Sequence, residues 1–179
     1  MNRRVLVAGV GNIFLGDDGF GVQVARRLAG EALPDGVEVA DFGIRGVHLA
    51  YQLLDGYDLA ILVDASPRGG EPGSLYVIEP TLGDGGPEER GDGPKGDGQV
   101  LLDGHGMQPD AVLGLLRALG GPVGRVLVVG CEPAEVRERI GLSEPVSRAV
   151  GEAARVVREL VTQAEPPAPR ETTHETRRR

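Results

Sequence analysis

Short apolar runs, separated by stretches of helical periodicity, fix what this chain can fold into. Arg4–Gly9, Val37–Asp41, Leu59–Val63, Ser74–Ile78 and Arg125–Val129 are such runs. Each is too short for a helix and has few polar interruptions, the pattern of a strand covered on both faces. Between the first two, Asp18–Ala32 sets Phe20, Val22, Val24, Ala25 and Leu28 at helical spacing. Val47–Leu54 reads as a short helix, and Gln108–Leu119 as a longer one with Val112, Leu115, Leu116 and Leu119 on one face. A last helix is predicted from Ser143, a candidate N-cap followed by Glu144 and Pro145, to about Val161. Its buried stripe should hold Val146, Val150, Ala153, Val157 and Leu160. Strands alternating with helices require a three-layer α/β architecture: a five-stranded, mostly parallel, twisted sheet with helices on both faces. Ligands of such folds collect at the carboxyl ends of the strands. The loops after Gly9, Asp41, Val63 and Val129 therefore deserve the search for chemistry.

At 179 residues the chain is long enough for one domain with its own core, expected over residues 1–163. With aromatics at 3% and no Trp, that core must be built from Val, Leu, Ile and Ala. Residues 83–98 hold seven Gly and two Pro and read as a flexible insert, because they lack apolar surface to offset ordering entropy. Residues 164–179 read as a disordered tail for the same reason. A net charge of −8 argues against nucleic acid and against an anionic membrane surface as partners. No apolar run approaches the roughly 20 residues of a membrane span. The first residues are too short in apolar content for a signal peptide. Cys131 is the single cysteine, which excludes an internal disulfide and a multi-cysteine metal knuckle. An acidic, cytoplasmic protein is the expectation.

The first loop, Gly9-Val10-Gly11-Asn12 through Asp17-Asp18-Gly19-Phe20-Gly21, opens like a dinucleotide fingerprint. Phe14 stands where the third glycine belongs, and two aspartates at the helix start would meet a pyrophosphate with like charge. No Gly-Lys-Ser/Thr follows, so a P-loop is also excluded. Capping accounts for one of the two aspartates better than for both. Asp64 ends the third apolar run, where a carboxylate is either a turn residue or is held by a partner or a metal. Asp41 closes the second run and could orient a neighbour or cap a turn. Of three histidines, His174 lies in the tail, His48 on an exposed helical position, and His105 in a loop just before a helix. Asp18, Asp64 and His105 would make a three-point, borderline-hard site with open positions for a first-row divalent metal. Cys131 reads as a packing residue, since nothing marks a base beside it.

These segments resemble one family, the hydrogenase maturation endopeptidases, which remove a C-terminal extension from the large subunit of nickel–iron hydrogenases. The resemblance rests on the first loop, on Asp64-Ala65, on His105, and on Gly130-Cys131-Glu132-Pro133 with Ile140-Gly141-Leu142-Ser143, in that order over residues 4–160. It implies that Asp18, Asp64 and His105 are the catalytic and metal-contacting residues, and that the metal is nickel already seated in the substrate. No intrinsic cofactor is then expected, and the partner is the large-subunit precursor in a transient complex. The alternative is a non-proteolytic nickel-binding or assembly chaperone, disfavoured by so few candidate ligands. Two departures stand out: Asp41-Phe42-Gly43 replaces the family's frequent Asp-Gly-Gly, and the 83–98 insert is long.

Overall fold

The computed structural model describes residues 3–80, 109–121 and 124–163. The insert at 83–98, the tail at 164–179 and His105 lie outside the described residues. Five strands form one sheet: β1 (Val5–Val10), β2 (Val37–Gly43), β3 (Leu59–Ala65), β4 (Leu75–Ile78) and β5 (Arg125–Cys131), in the order β2-β1-β3-β5-β4. All neighbours run parallel except β4, which pairs antiparallel with β5 at the edge. Four α-helices accompany them: α1 (Phe20–Ala29), α2 (Gly46–Leu53), α3 (Pro109–Ala118) and α4 (Glu144–Gln163).

Alternation along the strands divides the core in two. Val5 and Val7 of β1, Leu59, Ile61 and Val63 of β3, and Leu127 and Val129 of β5 point to the side covered by α1 and α4. Leu6, Ala8 and Val10, Ala60 and Leu62, Val126 and Val128 point to the side covered by α2 and α3. Both faces of each central strand are therefore dry, which is why the sequence shows continuous apolar runs there instead of alternating ones.

The helix stripes follow the expected periodicity with local exceptions. All five apolar residues singled out in α1 are buried. In α4, Ala149, Ala154 and Val161 join Val146, Ala153 and Val157 in the core, while Val150 and Leu160 pack at its margin. In α3, Leu113 is buried and Leu119 lies beyond the helix, 40% exposed. The strands outrun their expected ends by up to two residues: β1 reaches Val10, β2 Gly43, β3 Ala65 and β5 Cys131. These extensions bear on the site, because they carry the pairing to the carboxyl edge of the sheet. Among the described residues no helix is long and apolar enough to cross a membrane.

The helical start expected at Asp18 is instead a tight 3-10 turn, Gly16–Gly19, before α1 begins at Phe20. Gly16 sits at φ +61°, a backbone conformation that side chains disfavour, and this lets the chain turn sharply into the helix. Gly21 lets the first turn of α1 lie directly on the strand ends. A Cβ there would stand 1.9 Å from the Val63 carbonyl oxygen and 2.4 Å from that of Val10.

Candidate active site at the carboxyl edge

From β1 the chain moves outward through α1 to β2, then crosses back through α2 to β3 on the other side. The two crossovers cover opposite faces, so the gap between the carboxyl ends of β1 and β3 is the topological switch point of the sheet. A crevice opens at such a point because the connections diverge. Asp18 follows β1, and Asp64 is the penultimate residue of β3.

Gly11 joins the two. It lies at φ +130°, and a Cβ on it would stand 1.8 Å from the Asp18 carbonyl oxygen and 3.8 Å from Asp64 Oδ1. Only a glycine lets the first loop fold back so closely. Asp18 Oδ2 accepts a hydrogen bond from the Asn12 N–H at 2.8 Å, which fixes its side chain across that loop. Asn12 Oδ1 in turn accepts from the Phe14 N–H at 2.9 Å, an Asx turn.

Asp64 is nearly enclosed, with 9% of its surface exposed. Burial pushes its carboxyl well above the usual range, the Asp18 charge pushes it further, and the Ala65 N–H only partly offsets them. Two carboxylates close enough to repel, one of them desolvated, form a site whose charge is unfavourable until a cation or a proton arrives. Asp64 also lines a cleft of about 500 Å³ with Arg68, Glu79, Pro109 and Asp110.

Asp17, the other member of the pair, does something different. It is fully buried, and its carboxylate accepts four hydrogen bonds: from the N–H groups of Ala134 (2.8 Å), Glu135 (3.0 Å) and Ser143 (2.7 Å), and from the Ser143 hydroxyl (2.8 Å). Burial alone would raise its carboxyl, but these donors outweigh that and hold it below the ordinary value. Asp17 thus ties the 3-10 turn to residues 134–143, a join reinforced by Gly16 N–H to Arg139 O at 2.8 Å and Arg139 N–H to Phe14 O at 3.0 Å. Ser143 does precede α4 as expected, yet its hydroxyl is donated to Asp17.

Glu132, just past β5, holds the turn that carries Arg68 into the cleft lining. Only 5% exposed, it accepts from the N–H groups of Arg68 (2.8 Å) and Gly69 (3.2 Å) and from the Tyr76 hydroxyl (2.9 Å). Sequence reasoning quoted Glu132 only as part of a motif and passed over Arg68. An acid directly after a buried strand, far along the chain from a Pro-Arg-Gly-Gly turn rich in free N–H groups, was the available signal.

The remaining expected residues take quieter roles. Asp41 pairs with Arg26 at 3.2 Å. His48 is exposed on α2. Cys131 is fully buried, and its thiol is pushed up to about 12, chiefly by burial and then by the Asp17 and Glu132 charges. It cannot supply a thiolate at neutral pH. Asp18 and Asp64 are brought together, and among the described residues no group of three His, Cys, Asp or Glu side chains is poised to hold a metal. The third expected residue, His105, falls four positions before Pro109, outside the described residues.

No family model matches the chain. A protein of Methanocaldococcus jannaschii named as a hydrogenase maturation protease is 32% identical over 159 residues, spanning 87% of this chain and 94% of that one. Among solved structures, a hydrogenase 2 maturation peptidase from a Thaumarchaeota archaeon is 30% identical, with a TM-score of 0.64 over 89% of this chain and 99% of that one. The hydrogenase maturating endopeptidase HybD of E. coli is 27% identical, with a TM-score of 0.68 over 89% and 93% of the two chains.

Proposed function

Since this chain belongs to the hydrogenase maturation endopeptidases, a family of peptidases, we propose that it removes the C-terminal extension of a nickel–iron hydrogenase large-subunit precursor, and that Asp18 and Asp64 read the nickel already bound in that substrate. The observation that carries this reading is the paired, partly desolvated carboxylates at the sheet's switch point. Their mutual repulsion is relieved by an incoming cation, so a loaded precursor is favoured over an empty one at the place where cleavage must occur. His105 completes the contact set in this proposal, since the helix four residues after it begins at Pro109, a wall of the same cleft.

The chemistry follows from the charge. Nickel held between substrate and enzyme polarises the scissile carbonyl or lowers the pKa of a water beside it. A carboxyl that releases its proton to solvent as the cation arrives is left ionised and can accept a proton from that water as it attacks. Asp64 suits this role, because burial and the Asp18 charge raise its proton affinity above that of an ordinary carboxylate. The metal departs with the product, so the enzyme needs no resident cofactor, and its complex with the precursor is transient. The setting in this proposal is the cytoplasm.

Site variants test the assignment. Asp18→Asn and Asp64→Asn are expected to retain precursor binding and lose cleavage, and His105→Ala to lose cleavage of the loaded precursor. Full processing by His105→Ala, read by gel or mass, removes that residue from the set. Full processing by both Asn variants overturns the site.

A further inference from the structure

Arginines are mostly spoken for in this molecule. Arg26 pairs with Asp41, Arg125 with Glu79, Arg137 and Arg139 with Glu135, and Arg155 with Glu152 and Glu159. Arg68 differs: among the described residues no carboxylate forms an ion pair with its guanidinium, although it lines the cleft beside Asp64. Glu79, which lines the same cleft, is already held by Arg125 through two hydrogen bonds of 2.9 and 3.0 Å. Arg68 is therefore the one cation among the described lining residues, and it is available.

Its placement is built, not incidental. The buried Glu132 carboxylate gathers the Arg68 and Gly69 N–H groups and the Tyr76 hydroxyl into one cluster. Gly69 turns the chain at φ +81°, and a Cβ on Gly70 would stand 2.1 Å from the Tyr76 hydroxyl oxygen, so the turn closes only as Gly-Gly. Above this base the guanidinium carbon of Arg68 lies 5.9 Å from the centre of the Tyr76 ring, which restricts the side chain without neutralising it. A charge held over an aromatic face, with its fork of donors open to a cleft, is arranged to receive a planar anion.

We propose that Arg68 is a specificity residue of this cleft, receiving through its guanidinium a carboxylate of the peptide that lies beside Asp64. The inference rests on the processing reading above. It adds that the segment released from the precursor is chosen partly by a negative group at a set distance from the scissile bond. That group is either an Asp or Glu side chain or the terminal carboxylate of the extension.

Affinity and cleavage are measured separately. Calorimetry gives the affinity of the full chain for nickel-free precursor, which stays intact on the proposed mechanism, while cleavage of loaded precursor judges the processing reading alone. Arg68→Gln is expected to weaken binding by about tenfold or more, the worth of a hydrogen bond to a charged group. Arg68→Lys should fall between, keeping the charge and losing the fork. Both variants should melt with the unmodified protein, because the side chain is exposed. Two sets of precursors separate the sources: acids of the extension changed singly to amides, and a chain terminus blocked as its amide. One of these changes should weaken binding by the unmodified protein as much as Arg68→Gln does, and add nothing when combined with it. Unchanged affinity of Arg68→Gln overturns the proposal, as does an indifferent response to every carboxylate removed or a multiplication of the two losses.

Discussion

Two aspartates with opposite environments, Asp17 and Asp64, are the core of the account. Asp17 has its folded pKa lowered, so it stabilises the protein above its unfolded value, and that contribution is lost as pH falls through the folded value. Asp64 has its folded pKa raised, so the folded state is penalised as pH climbs above the unfolded value of about 3.8, and the penalty is complete above the folded value. The two Asn variants should then move in opposite directions at neutral pH. Asp17→Asn is expected to cost about 3 kcal/mol, since it leaves buried N–H donors facing an amide. Asp64→Asn should gain stability while abolishing cleavage. Chemical denaturation across pH 3–8 reads both, and the differences should shrink at the acid end. Cys131 gives a third residue-scale expectation. Buried, with its thiol near 12, it should resist alkylation in the folded protein, and Cys131→Ala should process precursor normally at a stability cost of about 1–2 kcal/mol. Loss of cleavage with unchanged stability would put a thiol in the chemistry.

At the level of elements, the contact of α1 with the ends of β1 and β3 decides whether the two carboxylates meet. Gly9, Gly11 and Gly21 all permit that approach. A Cβ on Gly9 would stand 2.3 Å from the Gly21 carbonyl oxygen, and one on Gly21 would stand 1.9 Å from that of Val63. Gly21→Ala should therefore push the helix from the sheet, destabilise by about 3 kcal/mol, and lower cleavage in the surviving folded fraction by displacing Asp18. A folded Gly21→Ala variant with native activity would mean that the spacing of Asp18 and Asp64 is not set there. The same contact shows where sequence was readable. Strand and helix identities follow from periodicity, because burial on one or two faces leaves its mark residue by residue. The 3-10 turn at Gly16–Gly19 does not, since it is held by hydrogen bonds that the Asp17 carboxylate accepts from Ala134, Glu135 and Ser143, more than a hundred positions away. The Glu132 cluster was hidden for the same reason. Asp64 was legible because it follows an apolar run, and Asp18 because it lies in the loop after another, both at the carboxyl edge where this architecture places ligands.

For the molecule as a whole, the sheet order and the crossover directions open a crevice where β1 and β3 part; Asp18 and Asp64 meet there, and Asp64 also lines the cleft that holds Arg68, Glu79 and Pro109. Asp17 ties the loop that carries Asp18 to residues 134–143, and Glu132 holds the turn that carries Arg68. On the proposed function, the Asp18–Asp64 pair discriminates by charge: an empty precursor brings no cation to relieve the repulsion, and a loaded one does. Intact mass of a hydrogenase large-subunit precursor, incubated with this protein in nickel-loaded and nickel-free forms side by side, tests this directly. The loaded form should lose its C-terminal peptide and the empty form should keep its full mass. Equal shortening of both forms, or a loaded precursor left whole beside a control enzyme that cuts it, would contradict the account.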